Sequence, residues 1–126
     1  MKVRDLMSYP IATVRPEATV LEAVKRMAAE KKGSVLVARE GLLKEGLGIV
    51  TTSQIILKVF AEDLDPASVA VAEIMTPGPL ITIDLDASSR EAAKLMREHN
   101  IRRLPVMKDG ALVGIITSKD LLACVV

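Results

Sequence analysis

The chain has one cysteine, Cys124, one histidine, His99, no tryptophan, and a single tyrosine and phenylalanine among its 126 residues. One cysteine permits no internal disulfide, and with one histidine it supplies neither the thiolates nor the imidazoles of a zinc or haem site. An excess of one charge is missing too. Seventeen basic and sixteen acidic residues leave a net charge of +1 with no block of like sign, so nucleic acid is not expected as a partner. No apolar run approaches the roughly 20 residues that cross a bilayer, and Met1-Lys2-Val3-Arg4-Asp5 is not followed by a signal-type segment. The expectation is a cytoplasmic protein with no membrane partner. Ser34, Ser88 and Ser89 lack a histidine in sequence reach, so neither an enzyme nor a catalytic cofactor is expected. What is present is apolar residues, half of the chain, which is enough for a core.

Those residues are laid out twice in the same order. In the first half, residues 11–14 read as a short strand, and a helix opens after Pro16 with Thr19 and Glu22 spaced as a capping box. Val20, Leu21, Val24, Met27 and Ala28 make one helical stripe, and Gly33 is expected to end it. Strands at 34–38 and 47–51 flank a loop from Gly41 to Gly46, and a second helix is expected over 52–61. Asp63-Leu64-Asp65-Pro66 interrupts both periodicities. The order then restarts. Val71-Ala72-Glu73-Ile74-Met75-Thr76 echoes Val3-Arg4-Asp5-Leu6-Met7-Ser8, residues 80–83 match 11–14, a helix over 87–99 matches the first, and Gly114-Ile115-Ile116-Thr117 matches Gly48-Ile49-Val50-Thr51. Each copy is β-α-β-β-α, giving repeats at 1–62 and 71–126 around a linker at 63–70. About sixty residues barely bury a core, so the two are expected to pack sheet to sheet with pseudo-two-fold symmetry, an α+β fold.

The chemistry-bearing stretch is Gly114-Ile115-Ile116-Thr117-Ser118-Lys119-Asp120. Thr117 or Ser118 is a suitable N-cap for the helix that follows, and Asp120 falls on the face of Thr117. A carboxylate there can accept from two neighbouring sugar hydroxyls, with Gly114 keeping side-chain bulk away. The same Thr-x-x-Asp spacing also describes an ordinary capping box. Both readings stand on the residues alone. Arg102 and Arg103 precede a buried strand; as neighbours they project to different sides, and a guanidinium fork matches phosphate oxygens.

Met75-Thr76, Ile101-Arg102-Arg103-Leu104-Pro105-Val106 and the Gly114 to Asp120 stretch, in that order within a duplicated unit, resemble the cystathionine β-synthase (CBS) domain in its tandem form, the Bateman module. The resemblance covers essentially the whole chain and looks like a stand-alone module. It implies an adenine-nucleotide or related ligand (AMP, ADP, ATP or S-adenosylmethionine) in two clefts between the repeats, regulating another protein without catalysis. By position it puts Thr117, Lys119 and Asp120 at the ribose, Ala12, Lys32, Gly33 and Ile115 around adenine, and Arg102 and Arg103 near phosphate.

The first copy departs from that pattern. Gln54 stands where the second copy has Asp120, and Gly33-Ser34 stands where it has Arg102-Arg103. A neutral amide lacks the charge-assisted strength of a carboxylate, so one occupied nucleotide site per chain is expected. AMP is favoured because two arginines suit a short phosphate. A homodimer is expected through Ile55, Ile56, Val59 and Phe60, with an unidentified regulated protein as a further partner. The competing reading is a ligand-free scaffold. Met27 and Met96 belong on the core stripes, as, by preference, do Met7 and Met75; Lys32 and His99 also suit helix C-termini as cations.

Overall fold

The computed structural model describes residues 1–39 and 48–126. The expected Gly41 to Gly46 loop and the start of its following strand at Leu47 lie outside the described residues. Two compact units form, Ala12–Pro79 and a second assembled from Met1–Ile11 with Leu80–Val126. We refer to them as the central and the terminal unit.

In the central unit, strands β1 (Thr13–Val14), β2 (Ser34–Val37), β3 (Gly48–Thr51) and β4 (Thr76–Pro77) form one sheet in that order. β1 and β2 are parallel, and the other pairings are antiparallel, with Val35 opposite Val50. Helix α1 (Val20–Glu30) starts where Thr19 Oγ1 accepts the Glu22 amide at 3.1 Å. It stops one turn before the expected glycine, because Lys31 takes the left-handed conformation at φ 55° and its amide closes on the Ala28 carbonyl. Val20, Ala23 and Met27 are buried, while Val24 and Ala28, expected on the same stripe, are exposed. The core joins this face to Val35, Val37, Val50, Val71 and Ile74.

The second helix begins as α2 (Thr52–Ile55) and continues as a π-helical turn, Ile56–Phe60, in which the Ala61 amide reaches the Ile56 carbonyl at 2.8 Å. Val59 is 2% exposed and belongs to the core, with Ile55 half-buried against it, whereas Ile56 and Phe60 are 52% and 77% exposed. The dimer face expected from Ile55, Ile56, Val59 and Phe60 is therefore corrected: Val59 is not on it. The 63–70 segment is anchored, since the Pro66 and Val69 carbonyls accept the Leu21 and Val20 amides at 3.0 and 2.8 Å.

In the terminal unit, β5 (Ile83–Asp84), β6 (Arg103–Lys108) and β7 (Ala111–Thr117) form a sheet in that order, β5 parallel and β7 antiparallel to β6. Asp109 and Gly110 turn the β6–β7 hairpin with φ of 49° and 80°, the two left-handed residues such a tight turn needs. Helix α3 (Ser89–His99) is capped by Ser88, whose Oγ accepts the Glu91 amide at 3.1 Å, and it ends at a left-handed Asn100. Ala92 and Met96 pack with Ile83, Leu85, Leu104, Val106 and Ile116.

Val3 completes this core and is fully buried. Its amide reaches the Ala87 carbonyl at 2.9 Å, and Ser8 exchanges two backbone hydrogen bonds with Ile115 at 2.9 and 3.0 Å. Residues 71–76 dock on the central unit in the corresponding way: the Val71 amide reaches the Ala18 carbonyl at 2.8 Å and β4 pairs with β3. Each repeat's lead-in segment thus packs on the body of the other copy. For this reason the packed units divide at Ile11 and Pro79, away from the ends of the sequence repeats.

Candidate functional site

Six of the nine residues singled out for ligand contact lie in the terminal unit: Arg102, Arg103, Ile115, Thr117, Lys119 and Asp120. β7 runs into the short helix α4 (Ser118–Leu121) through Thr117, which is extended at φ −118° and ψ 165°. Thr117, not Ser118, is the cap. Thr117 Oγ1 accepts the Asp120 amide at 3.3 Å, and Asp120 Oδ2 accepts the Thr117 amide at 2.8 Å. This is a complete capping box. The box uses one carboxylate oxygen, and Oδ1 has no hydrogen-bond partner among the described residues. Asp120 is half-buried and Lys119 exposed.

Arg103 opens β6 directly opposite Thr117 in the strand register, and the Arg102 carbonyl accepts the Ser118 amide at 2.9 Å. Antiparallel pairing thereby brings the arginine pair and the Thr117–Asp120 box together. Arg103 is half-buried with no carboxylate partner among the described residues; Arg102 is exposed. Burial first, and then the adjacent Arg102 charge, pull the Arg103 pKa below the usual guanidinium value. Both causes would be offset by an anion.

Gly114 and Ile115 serve this site differently from expectation. A Cβ on Gly114 would lie 2.8 Å from Met7 Sδ and 2.8 Å from the Ser8 carbonyl, so the space beside it is filled by the lead-in segment. Gly48 is its counterpart, with Met75 Sδ and the Thr76 carbonyl both at 2.6 Å. The missing side chain therefore makes room for a methionine from the chain itself. Ile115 is buried, and its backbone is committed to Ser8.

The other three residues lie in the central unit. Ala12 is buried and its carbonyl accepts the Leu36 amide at 2.9 Å; the Gly33 carbonyl accepts the Thr52 amide at 3.2 Å. Lys32 is half-buried and lines an apolar groove of about 420 Å³ with Val24, Met27, Ala28, Ile55 and Ile56.

The first copy's counterpart of the Asp120 box is intact. Thr51 Oγ1 accepts the Gln54 amide at 3.4 Å, and Gln54 Oε1 accepts the Thr51 amide at 2.8 Å. Sequence reasoning missed the next bond, in which Gln54 Nε2 donates to Thr76 Oγ1. The signal for it was the repeated Met-Ser and Met-Thr of the two lead-ins. Among the described residues no helix is long and apolar enough to cross a membrane, and no group of three or more His, Cys, Asp or Glu is placed to hold a metal ion.

The two copies of this architecture are matched independently by the sequence profile of the CBS domain, over residues 3–60 and 71–126. The chain belongs to the CBS domain family. This CBS pair is 34% identical over 123 residues to an uncharacterized protein of Methanopyrus kandleri, covering 97% of this chain and 61% of that one. It is 35% identical over 119 residues to the CBS domain-containing protein YhcV of Bacillus subtilis, covering 94% and 81%. Among solved structures it resembles the CBS domain pair of protein MJ0100 in complex with 5′-methylthioadenosine and S-adenosyl-L-methionine. That likeness has a TM-score of 0.84 and 28% identity, and covers 100% of both chains.

Proposed function

We propose that this CBS pair is a regulatory, non-catalytic adenine-nucleotide-binding module that senses AMP for a partner protein, with ADP and ATP as weaker ligands. The observation that carries the reading is the pairing of Asp120, whose Oδ1 is left over from the cap, with the half-buried Arg103. The carboxylate accepts the ribose hydroxyls beside Thr117 and Lys119. Arg103, joined by Arg102, takes the phosphate, and the anion offsets a cation that has no carboxylate partner among the described residues. Adenosine-type ligands in the MJ0100 pair support the ligand class, whereas the arginine pair favours a phosphate over the sulfonium of S-adenosylmethionine.

The proposed module is a homodimer. Val24 and Ile56 leave the groove between α1 and α2 open, and Phe60 extends its exposed apolar surface. A second reading, a ligand-free scaffold, is favoured by one observation: Asp120 and Gln54 both complete capping boxes, so capping alone accounts for each. Isothermal titration with AMP, ATP and S-adenosylmethionine separates the two. The sensor reading expects about one AMP per chain, lost in Asp120→Ala; no binding by the wild type establishes the scaffold, and equal binding by the variant leaves Asp120 as a cap only.

A further inference from the structure

Gln54 and Asp120 occupy equivalent turns but spend their side chains differently. Both give one oxygen to the backbone amide of the cap, at 2.8 Å in each case. The remaining group of Gln54 is a donor, and it is bonded to Thr76 Oγ1 on β4. Ser8 is the counterpart of Thr76, and Asp120 makes no hydrogen bond to it among the described residues. A second tie to the same lead-in comes from Lys58, whose Nζ donates to the Ile74 carbonyl at 3.2 Å. Four residues after Asp120, the position corresponding to Lys58 holds Cys124, which has no ammonium to donate.

We propose that Gln54 is an internal clasp: it bridges the Thr51 turn to the lead-in strand β4, filling from within the chain the position that a ligand hydroxyl takes beside Asp120 in the other copy. The inference rests on the nucleotide reading of Asp120. It makes Gln54 a specificity-determining residue that closes the first copy to polyols whatever the cations around it. The amide spends its second group on Thr76 Oγ1, so no atom of Gln54 that is aimed at the lead-in is left over for a ligand hydroxyl.

Two measurements decide this. Gln54→Met can neither donate to nor accept from Thr76, so hydrogen exchange of residues 71–79, which the cap bond at Thr51 does not reach, is expected to accelerate roughly fivefold, the effect of one typical net hydrogen bond. Thr76→Val should accelerate it equally, and the double variant no further. Unchanged exchange in either single variant overturns the clasp. Gln54→Asp copies the Asp120 turn; titrated with adenosine, which needs no phosphate cation, it is expected to bind two per chain where the wild type binds one. A stoichiometry that stays at one overturns the claim that Gln54 closes the copy. If the wild type binds no adenosine and no AMP, the reading of Asp120 fails, while the exchange comparison still decides the clasp.

Discussion

The Sδ of Met7 lies 2.8 Å from where a Cβ on Gly114 would stand, so a residue near the start of the chain dictates which residue β7 can carry. Gly114→Ala is expected to destabilise the protein by about 1–3 kcal/mol, the usual cost of overpacking, because the Ser8 carbonyl is as close and cannot swing away. Met7→Ala should recover part of that loss by removing one of the two clashes. Denaturant midpoints of the three proteins test this; an undestabilised Gly114→Ala would refute the packing assignment.

Asp120→Asn separates cap from ligand contact. The amide still offers an oxygen to the Thr117 backbone, so stability is expected to fall by less than about 1 kcal/mol. AMP affinity should drop roughly tenfold or more with loss of a charge-assisted contact. Parallel melting and titration measure both, and a variant with lost stability but unchanged affinity would leave Asp120 as a cap only.

Arg103 should trade stability against binding. Its depressed pKa means that the folded state penalises the charged form, so Arg103→Met is expected to raise the melting temperature of the ligand-free protein slightly. The same variant should weaken AMP more than adenosine. Equal loss for both ligands would place the arginine away from phosphate.

Asp86 holds the lead-in through Arg4, whose Nε donates to Oδ1 at 2.9 Å, with Lys2 nearby at 3.8 Å. The Arg4 hydrogen bond, and the positive charges around it, lower the Asp86 pKa. A depressed carboxylate stabilises the fold above its unfolded pKa of about 3.9, and this contribution disappears as pH falls through the lower folded value. The melting-temperature difference between wild type and Asp86→Asn should therefore be small at neutral pH and vanish in acid. Because the pair is exposed, about 0.5 M salt should shrink it as well.

Phe60→Glu tests the dimer. Phe60 is outside both cores, so the variant should keep its fold while sedimentation shifts from dimer to monomer. A wild type that sediments as a monomer would remove the apolar surface from the proposed assembly.

Local features were the legible ones. The Thr51–Gln54 and Thr117–Asp120 boxes span three residues each, and a spacing of that kind has one geometry. The helical stripes predicted Met27 and Met96 as core for the same reason. Val59 was misplaced because Ile55, Ile56, Val59 and Phe60 are apolar on two neighbouring faces, and only packing shows that Ile55 and Val59 turn to the core while Ile56 and Phe60 turn out. The exchange of lead-ins was illegible because the segments are alike: Val3 and Val71 could each fill either core on sequence grounds, and only the assembled chain distinguishes them.

That exchange also sets an order of events on the ribosome. The central unit, Ala12–Pro79, is one continuous stretch and can close as soon as it has emerged. Val3 and Met7 have to wait for Ala87 and Gly114, which at ~5–20 residues per second takes on the order of ten seconds. Through that interval the 1–11 segment waits for partners made after it, and a chain stopped just past Pro79 carries one finished unit with an unclaimed apolar lead-in.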